Sequence, residues 1–123
     1  MKKIAAVCLV HKGPQVLAVS RGSNINDLGL PGGKKELGET PENCAIRELA
    51  EETGLYAGEL NLLAIDNDEM GFLVYTYEVE NFTGKLRSSS EGIAKWVDPE
   101  ELLHYSCTFK KANRKNLKKA GLI

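Results

Sequence analysis

A mixed β-sheet with helices packed on its faces is expected from three features of the chain. Five stretches rich in apolar and β-branched residues have the length and composition of strands. From Thr40 the apolar spacing changes to a helical period. A lysine-rich segment near the C-terminus shows the same period. Strands combined with a central and a terminal helix suit helices layered on a sheet.

The elements follow in order. "KIAAVCLVHKGPQVLAVSR" reads as two strands with a turn at Gly13-Pro14. The two lysines ahead of Ile4–Val10 faintly resemble a signal peptide. That apolar run is short and no small-residue cleavage site follows, so a strand is expected. "GSNINDLGLPGG" is rich in turn formers and reads as loop. A helix then runs from about Pro41 to Thr53, with Thr40 as N-cap, Pro41 at the first position and Gly54 just past the end. "ELNLLAIDND" and "GFLVYTYEVE" read as strands. "GIAKWVDPEEL" gives a strand ending at Trp96-Val97, then a short helix capped by Asp98 with Pro99 first. The last helix covers roughly Thr108 to Ala120, with its lysines and Arg114 on one half and Phe109, Ala112, Leu117 and Ala120 on the other.

A length of 123 residues suits one domain, residues 1–123. A net charge of −1 gives no field to attract a nucleic-acid polymer or an anionic membrane. No apolar run is long enough to span a bilayer. Cys8, Cys44 and Cys107 are odd in number, widely spaced and without a CxxC, which fits reduced thiols in a cytoplasm.

The helix carries the chemistry. With Glu48 set at zero on a helical wheel, Glu52 falls near 40° and Glu51 near 300°, while Ala45, Ile46, Leu49 and Ala50 occupy roughly 60° to 200°. One side can pack on a sheet; the other gathers like charges that repel. A solvated acidic face would account for three glutamates alone. So would a hard cation, since magnesium takes carboxylates, water and phosphate oxygens. The preceding "LPGGKKELGE" brings paired glycines to the foot of the helix, where the backbone can approach a ligand closely. Neither a P-loop nor a Rossmann glycine pattern is present.

Gly33, Glu39, Arg47-Glu48, Leu49, Glu51-Glu52 and Gly54-Leu55 together fill every fixed position of G-x5-E-x7-R-E-U-x-E-E-x-G-U, with U aliphatic. This resembles the complete Nudix box. Chance agreement is on the order of one in a million or less at ordinary residue usage. The length and element order are similar to small MutT-like members. The resemblance implies the Nudix fold, an α/β/α sandwich around a mixed sheet. It also implies hydrolysis of a nucleoside diphosphate-linked substrate with Mg2+ or Mn2+.

Residue by residue, the resemblance makes Glu48, Glu51 and Glu52 metal ligands, directly or through water, and offers the Gly32 carbonyl as another. Arg47 would orient a carboxylate, Glu51 or Glu39, and Glu39 would orient rather than ligate. Glu91-Gly92 in "SSSEGIAKWV" stands where MutT-like proteins carry a further glutamate, as ligand or base; alone it would read as a solvated loop residue. Glu48, Glu52 and Glu91 remain open as the general base. Arg21 matches a phosphate-contacting arginine. Asn113, in "KKAN", matches an asparagine that reads an oxidised guanine. The zone after the box lacks the proline of many ADP-ribose hydrolases, and Tyr75 is too far along for the dinucleoside polyphosphate type. A nucleoside triphosphate is therefore the expected substrate, 8-oxo-dGTP among them, with ADP-ribose, nucleotide sugars and dinucleotides as alternatives. A non-catalytic nucleotide sensor is the alternative of another class, but such domains typically lose box glutamates and this one keeps them. Trp96 is expected in the core, Tyr75 and Tyr77 on one strand face, and His11 and His104 at the surface.

Overall fold

The computed structural model describes residues 3–123, so Met1 and Lys2 of the signal-like start lie outside the described residues. β1 (Lys3–Lys12) is the centre of the sheet. It turns at Gly13, whose φ of 60° suits glycine, into β2 (Gln15–Arg21). The two strands pair antiparallel only near the turn, at His11↔Val16 and Lys12↔Gln15. The earlier part of β1, Ala5 to Val7, pairs instead with β4 (Gly32–Lys34). β1 thus changes partner along its length, and a cleft opens between β2 and β4.

β1 also runs parallel to β7 (Phe72–Val79), which pairs antiparallel with β6 (Leu60–Asn67). β2 is flanked by β3 (Asn24–Gly29) and β9 (Ala94–Val97). The sheet is mixed, as expected.

Alternation along β1 and β2 builds the sandwich, because successive side chains point to opposite faces. Ala6, Cys8, Val10 and Leu17 join Cys44, Ala45 and Leu49 of α1 (Pro41–Thr53) in one core. Leu9, Val16 and Ala18 join Leu102 of a 3₁₀ turn (Pro99–Leu103) and Leu117 of α2 (Lys110–Lys119) in the other. Burial on both faces explains why these strands read as continuous apolar runs. The aromatic expectations also stand. Trp96 packs against the α1-side core with its ring 5.6 Å from Phe82. Tyr75 and Tyr77 stack at 6.4 Å. All three cysteines are free and buried. His11 pairs with Glu78 and His104 with Ser106. Among the described residues no helix is long and apolar enough to cross a membrane.

The structure corrects four expectations. "GSNINDLGLPGG" is not all loop, since it supplies β3 and the start of β4. Asn, Asp and Gly are poor strand formers, and pairing with β2 and β1 overrides that preference. β5 (Leu55–Ala57) and β8 (Phe82–Gly84) form a separate two-stranded sheet. Three residues apiece are too few to show a period. α2 starts at Lys110 rather than Thr108, because the Thr108 N–H and hydroxyl both donate to Asp27. Finally, Ala112 is exposed, whereas Asn113 and Asn116 are buried beside Leu117.

Candidate active site

The caps of α1 set which residues face outward. Thr40 Oγ1 accepts from the Asn43 N–H at 3.1 Å, and Pro41 opens the helix. Gly54, at φ 78°, closes it by donating to the Ala50 carbonyl at 3.0 Å. With Leu49 and Ala45 turned inward, Glu48, Glu51 and Glu52 must lie on the far side. β4 runs close beneath them. A Cβ on Gly33 would strike the Glu48 carboxylate, its carbon coming to 2.6 Å of Cδ. Gly33→Ala is therefore expected to displace Glu48 and lower kcat by about 10²-fold. Steady-state kinetics, with circular dichroism to show an intact fold, would check this; unchanged kcat would show that Glu48 has room to move.

Arg47 answers the repulsion among the glutamates. Its Nε donates to Glu39 at 2.6 Å, and Nη1 donates to both Glu48 and Glu51 at 2.9 Å. Nη2 donates to Glu39 at 3.1 Å and to the Lys34 carbonyl at 3.2 Å, and Glu36 lies 3.3 Å from Nε. The expected choice between Glu51 and Glu39 was too narrow, because one guanidinium fork serves both and two more carboxylates besides.

The hydrogen bonds from Arg47 hold the Glu39 carboxyl down at about 2, from an ordinary value of 4.5. The folded state thus favours the carboxylate. The stability Glu39 contributes is present above about pH 4.5 and is lost as pH falls through about 2. The Tm gap between wild type and Glu39→Gln is expected to be full at about pH 6 and to close in acid. A gap independent of pH would show that the ion pair does not stabilise the fold.

Glu48 and Glu52 shift the other way. Burial raises Glu48, against the pull of Arg47, and Glu51 and Glu91 add repulsion. Burial likewise pushes Glu52 up to about 8, against a hydrogen bond from the Gly32 N–H, with repulsion from Glu48, Glu91 and Glu51. That N–H reaches Glu52 Oε1 at 2.7 Å.

These groups line a cleft of about 290 Å³. Arg21, Gly32, Glu48, Glu52 and Glu91 meet there, drawn from β2, β4, α1 and the loop before β9. Glu51 is half exposed and stands beside Arg47 rather than in the cleft lining. Asn113 is also outside the lining. Its buried amide donates to the carbonyls of Leu102 at 2.9 Å and Leu28 at 3.4 Å.

Several participants were not anticipated. Ser20 ties the Glu91 loop to β2, accepting from the Ile93 N–H at 2.9 Å on Oγ and donating its own N–H to the Ile93 carbonyl at 2.9 Å. Phe109 lines the cleft, Asp27 stands behind Arg21, and Glu36 joins the Arg47 web. Only Glu36 carried a signal, being a carboxylate on the same loop as Glu39.

The donor set fits a hard divalent cation. It consists of carboxylates, with Gly32 lining the same cleft, and two of the carboxylates are raised by burial first and by neighbouring glutamates second, both of which a bound cation would offset. Among the described residues no three acidic, histidine or cysteine side chains form a ready cage. Magnesium requires none, because it keeps waters and takes substrate phosphates as ligands.

Known proteins are similar to this chain in architecture and in part of the sequence. A MutT-like protein of Streptomyces ambofaciens is 34% identical over 96 residues, 76% of this chain, and the match spans 62% of that relative, less than two thirds of its length. An 8-oxo-dGTP diphosphatase of Escherichia coli is 60% identical over 105 residues, covering 79% of this chain and 81% of that protein. The crystal structure of a MutT NUDIX hydrolase from Burkholderia pseudomallei superposes with a TM-score of 0.81 at 22% identity, covering 97% of this chain and 98% of the other, which establishes the fold. The NUDIX domain model matches residues 1–119. That match takes in the box, the cleft and nearly the whole sandwich, and the chain belongs to the NUDIX domain family.

Proposed function

We propose that residues 1–123 act as one Nudix pyrophosphohydrolase domain. It cleaves a nucleoside triphosphate, with 8-oxo-dGTP as the leading substrate, to the monophosphate and pyrophosphate. The observation that carries this reading is the meeting of Glu48, Glu52 and Glu91 with Arg21 in one cleft. A polyphosphate needs both an acidic cation-holding wall and a cationic contact of its own. The 60% identity to the Escherichia coli enzyme supports the choice of substrate.

Glu48, Glu52 and the Gly32 carbonyl, with Glu51 and Glu91, would hold Mg2+ or Mn2+. When bound, such an ion neutralises phosphate oxygens and makes water more acidic. The chain's own residues do the rest. Arg47 fixes the Glu48 and Glu51 carboxylates. The Gly32 N–H fixes Glu52. Arg21 contacts a phosphate, and one of Glu48, Glu52 or Glu91 accepts the proton of the attacking water. The water oxygen bonds to phosphorus as the bridging P–O bond breaks, and pyrophosphate and monophosphate separate. Three reduced, buried thiols fit a cytoplasmic setting.

The test is a panel of dNTPs, 8-oxo-dGTP, ADP-ribose, a nucleotide sugar and a diadenosine polyphosphate with Mg2+, products resolved by chromatography. Preferred turnover of a triphosphate with pyrophosphate release is expected. Preference for ADP-ribose or a dinucleotide would overturn the substrate and leave the metal site. Tight binding without turnover would point to a sensor.

A further inference from the structure

Arg21 is the one cationic side chain lining the cleft among the described residues, yet it ends a strand and is 43% exposed. A free arginine there would sample many rotamers and lose that freedom on each binding event. Three features hold it. The register of β2 against β3 shifts between Ser20 and Arg21, an irregularity of the kind that re-aims a side chain beside an active site. The guanidinium lies over the Phe109 ring, 4.4 Å from its centroid. Behind it, Asp27 Oδ2 stands 3.7 Å from Arg21 Nε.

Asp27 is itself buried and fixed. Its Oδ1 accepts from the Thr108 N–H at 2.8 Å, and its Oδ2 accepts from the Thr108 hydroxyl at 2.5 Å. A buried carboxylate is costly unless paired. This one joins β3 to the segment before α2, which also carries Phe109. The ring and the carboxylate thus reach Arg21 as parts of one clamp.

We propose that Asp27 is a positioning residue, which with Thr108 and Phe109 holds the Arg21 guanidinium at the cleft for a substrate phosphate. The inference rests on the pyrophosphohydrolase reading and deepens it. Asp27 does not touch the substrate; it acts through Arg21.

Asp27→Asn is the informative variant. Its amide can still accept from the Thr108 N–H and donate to the Thr108 hydroxyl, while the charge facing Arg21 is gone. With the preferred triphosphate, Asp27→Asn is expected to raise KM about 10-fold with a smaller change in kcat, and Arg21→Ala to raise it about 10- to 100-fold. In the Arg21→Ala background, Asp27→Asn should change KM less than about twofold. Additive effects would overturn the proposal, since a purely structural Asp27 would act whether or not Arg21 is there. Nitrogen relaxation at Arg21 Nε, read by NMR on the protein alone, needs no turnover. An ordered Nε–H in wild type that becomes mobile in Asp27→Asn is expected, and equal mobility in both would overturn the clamp. Should Asp27→Asn unfold, Thr108→Ala removes only the hydroxyl contact and should loosen Arg21 in the same direction. If wild type cleaves no nucleotide, the proposed function fails while the relaxation data still decide the clamp.

Discussion

Glu52→Gln is expected to lower kcat by about 10²- to 10⁴-fold, the range of a lost acid–base or metal-holding carboxylate. The fold should survive. A glutamine carbonyl can still accept the Gly32 N–H that now binds Glu52 at 2.7 Å, and the side chain keeps its volume. Stability is the second readout. Burial disfavours the charge of Glu52, and repulsion from Glu48, Glu91 and Glu51 adds to it. Without divalent cation the variant should therefore unfold no lower than wild type. With Mg2+, wild type should gain the more, by at least about 3 °C. Thermal unfolding with and without Mg2+, beside single-turnover kinetics, gives both results. Unchanged turnover would remove Glu52 from the mechanism. An equal gain from Mg2+ in both proteins would move the cation elsewhere.

Removing Arg47 acts on the same site from the opposite side. Arg47→Ala leaves Glu36, Glu39, Glu48 and Glu51 without their shared cation. Breaking so many charge-assisted hydrogen bonds is expected to cost about 2–3 kcal/mol, an effect of about 5–10 °C in Tm. Turnover should fall by about 10²-fold, because Glu48 loses the contact that sets its position. Arg47→Lys keeps the charge but loses the planar fork that reaches Glu39 and Glu48 at once, so it should fall between the two. If Arg47→Ala kept full activity, the web would be a stabilising device alone. If the lysine variant matched wild type, charge rather than geometry would be the requirement.

The helix was legible because its information is local. Thr40, Pro41 and Gly54 mark its ends in the chain and do so in the fold. Its period alone separates Leu49 and Ala45 from Glu48, Glu51 and Glu52. The strands from Lys3 to Arg21 and from Leu60 to Val79 were legible by the same means, since each is long enough to show its composition. β5 and β8 were not, and β3 and β4 ran against the preferences of their own residues.

The site divides along the same line. The box residues lie on one helix and the turn before it, so their grouping is a property of spacing along the chain. Glu91 and Arg21 reach that helix only because Ser20 ties one loop to β2 and because β1 exchanges β4 for β2 along its length. Asp27 had no sequence signal at all, because its role depends on Thr108, 81 residues away. Helical period and capping are short-range and can be read from one segment. The pairing of distant strands is a cooperative outcome of burying both sheet faces, and it decided which solitary polar residues meet the carboxylates.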